Sequence, residues 1–262
     1  MKFNYQPPPF TGNSFPGNAR QFDFLGSSAD DHIVRVIEST NTFYEEELLT
    51  HLALRGPRGG IFVDVGANIG NHALFFASYL ADQVVCIEPF QKVAAVCRDN
   101  LNRNQQINYQ LFEVAVGAQE GTGRVETNLT GNLGQSRFIP DSDGTQGTLP
   151  LTTLDSIYRQ VKDQDQNRPW NLIKIDVEGM QLDVLKGATA LLATEQPQLV
   201  IEADTDAEFE ALKNFLLPLG YCLIGRFCDT PTYHFLHPEK DTLRRLPFFY
   251  KLNRLVRSWF RS

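Results

Sequence analysis

The sequence predicts an α/β protein, a doubly wound three-layer sandwich around a mostly parallel seven-stranded sheet with a C-terminal antiparallel pair. Three observations predict it. Short β-branched runs alternate with helical patterns along most of the chain. Residues 61–72, IFVDVGANIGNH, read as strand, glycine turn and helix start, the nucleotide-binding corner of such sheets. Two last strand patterns, 221–227 and 232–236, supply the antiparallel pair. Together these describe a Rossmann-like sheet.

The elements follow in order. Residues 1–40 are expected as an N-terminal arm, rich in Pro and Gly, with Phe3, Tyr5, Phe10 and Phe15 as anchors. The arm either packs on the domain or covers the active site or a partner subunit. The domain proper is expected over 41–238. A helix spans 43–54 and stops at Gly56 and Pro57. The first strand and helix occupy 61–80, the second strand 83–88, a helix 91–103 and a third strand 109–116. Residues 117–150 are rich in Gly, Thr, Asn and Ser, with one short strand at 123–127. A connection that long is expected to be a hairpin insertion shaping the acceptor side. Helices at 154–161, 180–193 and 206–217 alternate with strands at 170–176 and 198–202.

Bulk properties narrow the function. The chain has 262 residues, is 42% hydrophobic and 21% charged, and suits a soluble globular core. A net charge of −7 argues against nucleic acid as a partner. No apolar run reaches the ~18–20 residues of a membrane span. Residues 1–5 lack the apolar stretch of a signal peptide, so a cytoplasmic location is expected. Cys86, Cys97, Cys222 and Cys228 show no metal spacing and read as small buried hydrophobes. Asn128-Leu129-Thr130 matches a glycosylation sequon that such a chain would not use.

The glycine corner selects its ligand. A dinucleotide site wants Gly-x-Gly-x-x-Gly, because a pyrophosphate packs against bare backbone. Here the turn is Gly66-Ala67-Asn68-Ile69-Gly70, with a β-carbon at position 68. Asp64 at the strand end repels a diphosphate and suits an ammonium group. Glu88, 22 residues beyond Gly66, has the separation of a carboxylate that binds ribose hydroxyls. A ligand with a ribose, an ammonium and no phosphate is S-adenosylmethionine (SAM).

The chain resembles the FkbM-type SAM-dependent methyltransferases over residues 40–225. Four stretches carry the likeness: Val63 to Gly70, Ile87-Glu88-Pro89-Phe90, Leu151-Thr152-Thr153-Leu154-Asp155, and Ile173-Lys174-Ile175-Asp176-Val177-Glu178-Gly179. The resemblance implies methyl transfer to a hydroxyl, often on a sugar or polyketide-like product. The expected cofactor set is Asp64, Gly66, Ala67, Asn68, Gly70 and Asn71 at the corner, then Glu88, Pro89 and Phe90. Ala115 and Val116 at the third strand end are expected beside adenine, and Asp176 completes the set.

Methyl transfer to a hydroxyl needs in-line approach, proton removal and a pocket for a sulfonium. Period-2 alternation puts Lys174, Asp176 and, if extension persists, Glu178 on one face at the end of a central strand. Asp176 or Glu178 is the first candidate base, with Lys174 beside them. His72 is the second, because a helix N-terminus favours the neutral imidazole. A structural ion pair of Lys174 with Asp176 or Glu202 is the plain alternative. No metal is expected, although Asp176, Glu202 and Asp204 could chelate magnesium in a metal-assisted variant. Two other readings compete: a non-catalytic SAM-binding scaffold and an NAD(P)-dependent oxidoreductase. The missing third glycine and Asp64 count against the latter.

Residues 239–262 hold seven basic and two acidic residues, a local charge of +5. Phe248, Leu252, Leu255, Val256 and Trp259 recur at helical spacing. A basic amphipathic helix is expected there, packing on the domain or a dimer mate, or resting on the inner face of an anionic membrane. The expected partners are a small-molecule or glycan hydroxyl acceptor and a second copy of the chain.

Overall fold

The computed structural model describes residues 1–7, 18–28, 31–104, 107–126, 137–141 and 148–240. From the N-terminus, β1 (Lys2–Tyr5) and β2 (Arg20–Asp23) form an antiparallel ribbon, followed by α1 (His32–Thr40) and α2 (Glu46–Arg55). The main sheet then opens with β3 (Ile61–Val65), α3 (Asn71–Tyr79), β4 (Gln83–Ile87), α4 (Gln91–Arg103) and β5 (Tyr109–Phe112). A second sheet takes β6 (Ala115–Val116), β7 (Gly121–Glu126), β8 (Arg137–Pro140) and β9 (Leu149–Thr152). The chain returns through α5 (Leu154–Gln164), β10 (Trp170–Ile175), α6 (Gln181–Lys186), α7 (Thr189–Glu195), β11 (Gln198–Glu202), α8 (Asp206–Leu216), β12 (Cys222–Phe227) and β13 (Thr232–Leu236).

The seven-stranded sheet runs β12-β13-β11-β10-β3-β4-β5. Strands β5, β4, β3, β10 and β11 are parallel. Only β13 is reversed, being antiparallel to both β11 and β12, so the sheet is mixed and its last hairpin contributes one reversed strand. Strand order changes direction between β3 and β10, the switch point where such sheets bind ligands.

Period-2 alternation distributes the strands over two cores. Phe62, Val84, Cys86, Leu172 and Val200 pack with α2, α3 and α4. Ile61, Val63, Ile173, Ile175 and Ile201 pack with α5 to α8 on the other face. Strands buried on both faces read as continuous apolar runs, which is why β3 and β4 are legible in sequence.

The described residues of the N-terminal segment include two strands and a helix. Phe3 and Tyr5 of β1 and Phe22 of β2 are buried in an aromatic cluster with Phe43, Phe75 and Tyr79, at centroid distances of 4.9 to 6.2 Å. Asn100 on α4 grips the same segment: its amide donates to the Leu25 and Ile69 carbonyls, and its oxygen accepts from Leu25 N–H at 2.7 Å. Asp31 starts α1 by accepting from the N–H groups of Ile33 and Val34.

Other departures have local causes. The expected third strand breaks at Glu113 and Val114: β5 stays in the main sheet while β6 turns to pair with β9. The expected helix 180–193 divides at Gly187, where a β-carbon would lie 2.0 Å from the Gly117 carbonyl oxygen. The Asp155 carboxylate then caps α7, accepting from Ala190 and Leu191 N–H at 3.0 and 2.8 Å. Among the described residues the insertion holds β7, β8 and the start of β9, where one strand was expected. Its residues 127–136 and 142–147 lie outside the described residues, as do the anchors Phe10 and Phe15, the sequon and the expected tail helix beyond Lys240.

A histidine pair, His234 buried and His51 half-buried, links α2 to the reversed strand. His51 Nε2 lies 3.0 Å from His234 Nδ1, and His234 Nε2 lies 2.9 Å from Gln198 Oε1. Burial holds both rings neutral, pushing His234 down to about 3 and His51 to about 4. A folded value below the ordinary one gives a contribution fully present above about pH 6.5 and lost as pH falls. At pH 5 the loss from His234 alone is about 2 kcal/mol. The urea midpoint of wild type is expected to drop between pH 7.5 and pH 5, and the drop to shrink in His234→Gln.

Candidate active site

The carboxyl ends of β3, β4, β10 and β11 face a cavity of about 280 Å³ at the switch point. It is built residue by residue from the turns that leave those strands.

The first turn explains its glycines. Gly66 follows β3 at φ +79°, and a β-carbon there would sit 1.8 Å from the Asp176 carbonyl oxygen. The close approach that demands glycine is therefore made by the neighbouring strand end, not by a ligand. Asp176 N–H closes the junction by donating to the Val65 carbonyl at 3.0 Å. Gly70, at φ +88°, starts α3 with its Cα packed towards Cys97. Asn68 sits at φ +48° without being glycine, a strained position typical of functional turns. Gly66, Ala67 and Asn68 line the cavity.

Glu88 follows β4 and is 5% exposed. Its Oε2 accepts from Asn68 N–H and its Oε1 from Phe90 N–H, both at 3.0 Å. Burial pushes its pKa up to about 7; the two backbone donors oppose that, while the charges of Asp64 and Asp176 reinforce it. Each oxygen keeps a lone pair for a further donor. Pro89, Phe90, Val93, Val114, Ala115 and Val116 wall the cavity beside it.

Lys174 is 2% exposed on β10, in register with Asp64 on β3. Its Nζ lies 2.8 Å from Asp176 Oδ2 and 3.9 Å from Asp64 Oδ1. Burial pulls the ammonium down, but Asp176, Asp64 and Glu45 outweigh it, so Lys174 stays charged. Asp64 is fully buried, its pKa is raised by burial against the pull of Lys174 and His72, and it does not line the cavity. The ammonium it faces is that of Lys174. Asp176 does line the cavity, beside Glu202 at the end of β11. Burial and the charge of Asp176 push Glu202 up to about 10, whereas Lys174 holds Asp176 below the usual carboxylate range despite burial. Of the two carboxyls, Glu202 is the one whose neutral form is favoured.

His72, in the first turn of α3, is 6% exposed. Its Nε2 lies 2.9 Å from Glu45 Oε2. Burial raises the Glu45 pKa, yet the close contact with His72 and the charge of Lys174 bring it below the usual range. Glu45 precedes α2 at φ +58°, a left-handed conformation costing a non-glycine residue about 1–2 kcal/mol. Asn71 stabilises it, accepting from Tyr44 N–H and donating to the Tyr44 carbonyl, each at 3.1 Å. The Asn71 side chain is thus committed to backbone.

β10 ends at Ile175, so extension does not persist to Glu178. Glu178 lies in a turn with Gly179 at φ +80° and still lines the cavity. Opposite the strand ends, Ser27, Asp31, His32, Ile33 and Phe138 close the wall. Sequence reasoning missed Glu45 and these residues. Only the alternating Phe3, Tyr5 and Phe22 hinted that the N-terminal segment belongs to the core. Among the described residues, no group of three His, Cys, Asp or Glu is arranged to hold a metal.

Comparisons with known proteins give the family of the chain. Residues 64–229 match the family model of the methyltransferase FkbM domain. Methyltransferase sdnD of Sordaria araneosa is 28% identical over 163 residues, spanning 50% of this chain and 61% of that protein. The crystal structure of methyltransferase FkbM from Methylobacillus flagellatus KT aligns with a TM-score of 0.50 and 19% identity, covering 68% of this chain and 43% of that one. A Streptococcus mutans structure solved in complex with SAH aligns with a TM-score of 0.41 and 14% identity, over 73% of this chain and 96% of that one. The family match runs over more than half of the 262 residues, and the chain belongs to the FkbM methyltransferase domain family.

Proposed function

We propose that the protein is a SAM-dependent O-methyltransferase acting on a hydroxyl of a sugar or glycosylated natural product. Glu88 carries the reading. A buried carboxylate oriented by two backbone donors, with lone pairs turned to an apolar-walled cavity, fits the two hydroxyls of a ribose. The apolar side chains of Val93, Val114 and Val116 fit an adenine face. The acids Asp176, Glu178 and Glu202 fit a sulfonium and a hydroxyl donor on the far side.

When bound, SAM supplies an activated methyl group, so the protein's part is positioning and proton removal. Asp176 and Glu202 share a hydrogen and together orient an incoming hydroxyl. Lys174 keeps Asp176 ionised. The buried walls exclude water that would compete for the methyl group.

Isothermal titration with S-adenosylhomocysteine tests the reading. Wild type is expected to bind, and Glu88→Ala to bind at least about tenfold more weakly, ~1.4 kcal/mol. NAD is expected not to raise the melting temperature; a rise with NAD and none with S-adenosylhomocysteine would remove the proposal. The ionised Glu88 accepts the ribose donors, so affinity should rise with pH. With a value of about 7, its ionised fraction grows from about a tenth at pH 6 to about nine-tenths at pH 8. Affinity is expected to gain nearly tenfold across that range in wild type and to stay flat in Glu88→Gln.

The composition of 240–262 supports weak association of that tail with an anionic membrane surface, next to a glycan acceptor. Co-sedimentation with phosphatidylserine vesicles should be lost when 241–262 are deleted; equal pelleting of both chains would end the idea.

A further inference from the structure

We propose that Glu45 is a positioning residue that commits one nitrogen of His72, so that the other receives the acceptor's proton. The proposal rests on the methyl-transfer reading above and selects its proton path.

Asp176, Glu178 and His72 are the candidate bases that line the cavity. Asp176 is engaged on both sides: Lys174 Nζ sits 2.8 Å from Oδ2, and Glu202 shares its hydrogen with the same carboxylate. A carboxylate held by an ammonium and an acid is a weak base. Glu178 stands in a partly exposed turn beyond the strand. His72 alone is buried in the wall of the cavity on a helix and held by a single anionic partner.

The holding is specific. Glu45 Oε2 approaches Nε2 at 2.9 Å, which leaves Nδ1 as the nitrogen with an uncommitted lone pair. The left-handed backbone of Glu45 aims the carboxylate, and Asn71, the residue before His72, fixes that backbone through Tyr44. One helical turn therefore holds the ring and its partner together. Strain retained by a neighbouring clamp is a mark of a functional position. Glu45 also lies outside residues 64–229, so the recognised domain borrows it from the segment before β3.

The step balances as follows. The acceptor oxygen forms a bond to the methyl carbon, the carbon–sulfur bond breaks, and its electron pair stays on sulfur. The hydroxyl proton passes to His72 Nδ1. The Glu45 carboxylate, 2.9 Å from Nε2, is placed to stabilise the imidazolium as it forms.

Long-range proton–nitrogen NMR of imidazoles in the full-length, ¹⁵N-labelled chain tests this, with and without S-adenosylhomocysteine. His72 is assigned by its loss in His72→Asn. At pH 9 the wild-type ring is expected as the Nε2–H tautomer with bare Nδ1. Glu45→Ala should lose that single-tautomer signature and Glu45→Asp should restore it, while S-adenosylhomocysteine affinity stays within twofold. A wild-type ring protonated on Nδ1, or the same tautomer in Glu45→Ala, overturns the proposal. Should Glu45→Ala not fold, the wild-type and Glu45→Asp spectra still decide. Failure of wild type to bind S-adenosylhomocysteine is a separate result, removing the function and leaving the tautomer readable in the unliganded chain.

Discussion

A single buried ammonium organises this site. Lys174 is sealed between the two central strands, and a charge there requires partners within reach. It finds Asp64 across the β3–β10 register and Asp176 at its own strand end. Removing the lysine would leave Asp64 charged or protonated in an apolar layer, a loss of about 3–5 kcal/mol for a broken buried pair. The same ammonium decides the protonation of its surroundings. Asp176 is held low because Lys174 faces it, and Glu202 is pushed up by burial and then by the charge of Asp176.

That arrangement sorts acids which look alike in sequence. Glu202 and Glu88 are pushed upward, chiefly by burial, while Asp176 and Glu45 are held low by cationic or imidazole neighbours. Groups driven apart in this way can divide donor and acceptor tasks at one pH. The geometry that permits it is compact. Gly66 lets β3 and the end of β10 touch, so Glu88, Asp176 and the turn between them reach one cavity.

The cavity is also composite. Residues before β3 close the wall opposite the strand ends, tied down by Asn71, Asn100 and a hydrogen bond from Met1 N to the Phe24 carbonyl at 2.8 Å. The small sheet of β6 to β9 adds Phe138. The Rossmann-like sheet supplies the floor of the cavity, and these two additions supply walls.

By itself the sequence determined the sheet, the glycine corner and the carboxylates at the strand ends. These depend on local rules: apolar runs in strands buried on both faces, a turn needing positive φ, and a fixed Gly-to-Glu spacing. It could not tell which of these polar residues share a cavity. Asp64 and Asp176 look equivalent as strand-end acids, yet one turns inward to Lys174 and the other faces the ligand space. Asn71 reads as a cofactor contact; it lines the cavity and also holds the Tyr44 backbone. Glu45 carries no motif, and its meeting with His72 spans 27 residues of chain. Only the tertiary structure decided these pairings, because burial, counter-charge and backbone strain arise where distant segments pack together, and no local pattern encodes which segments those are.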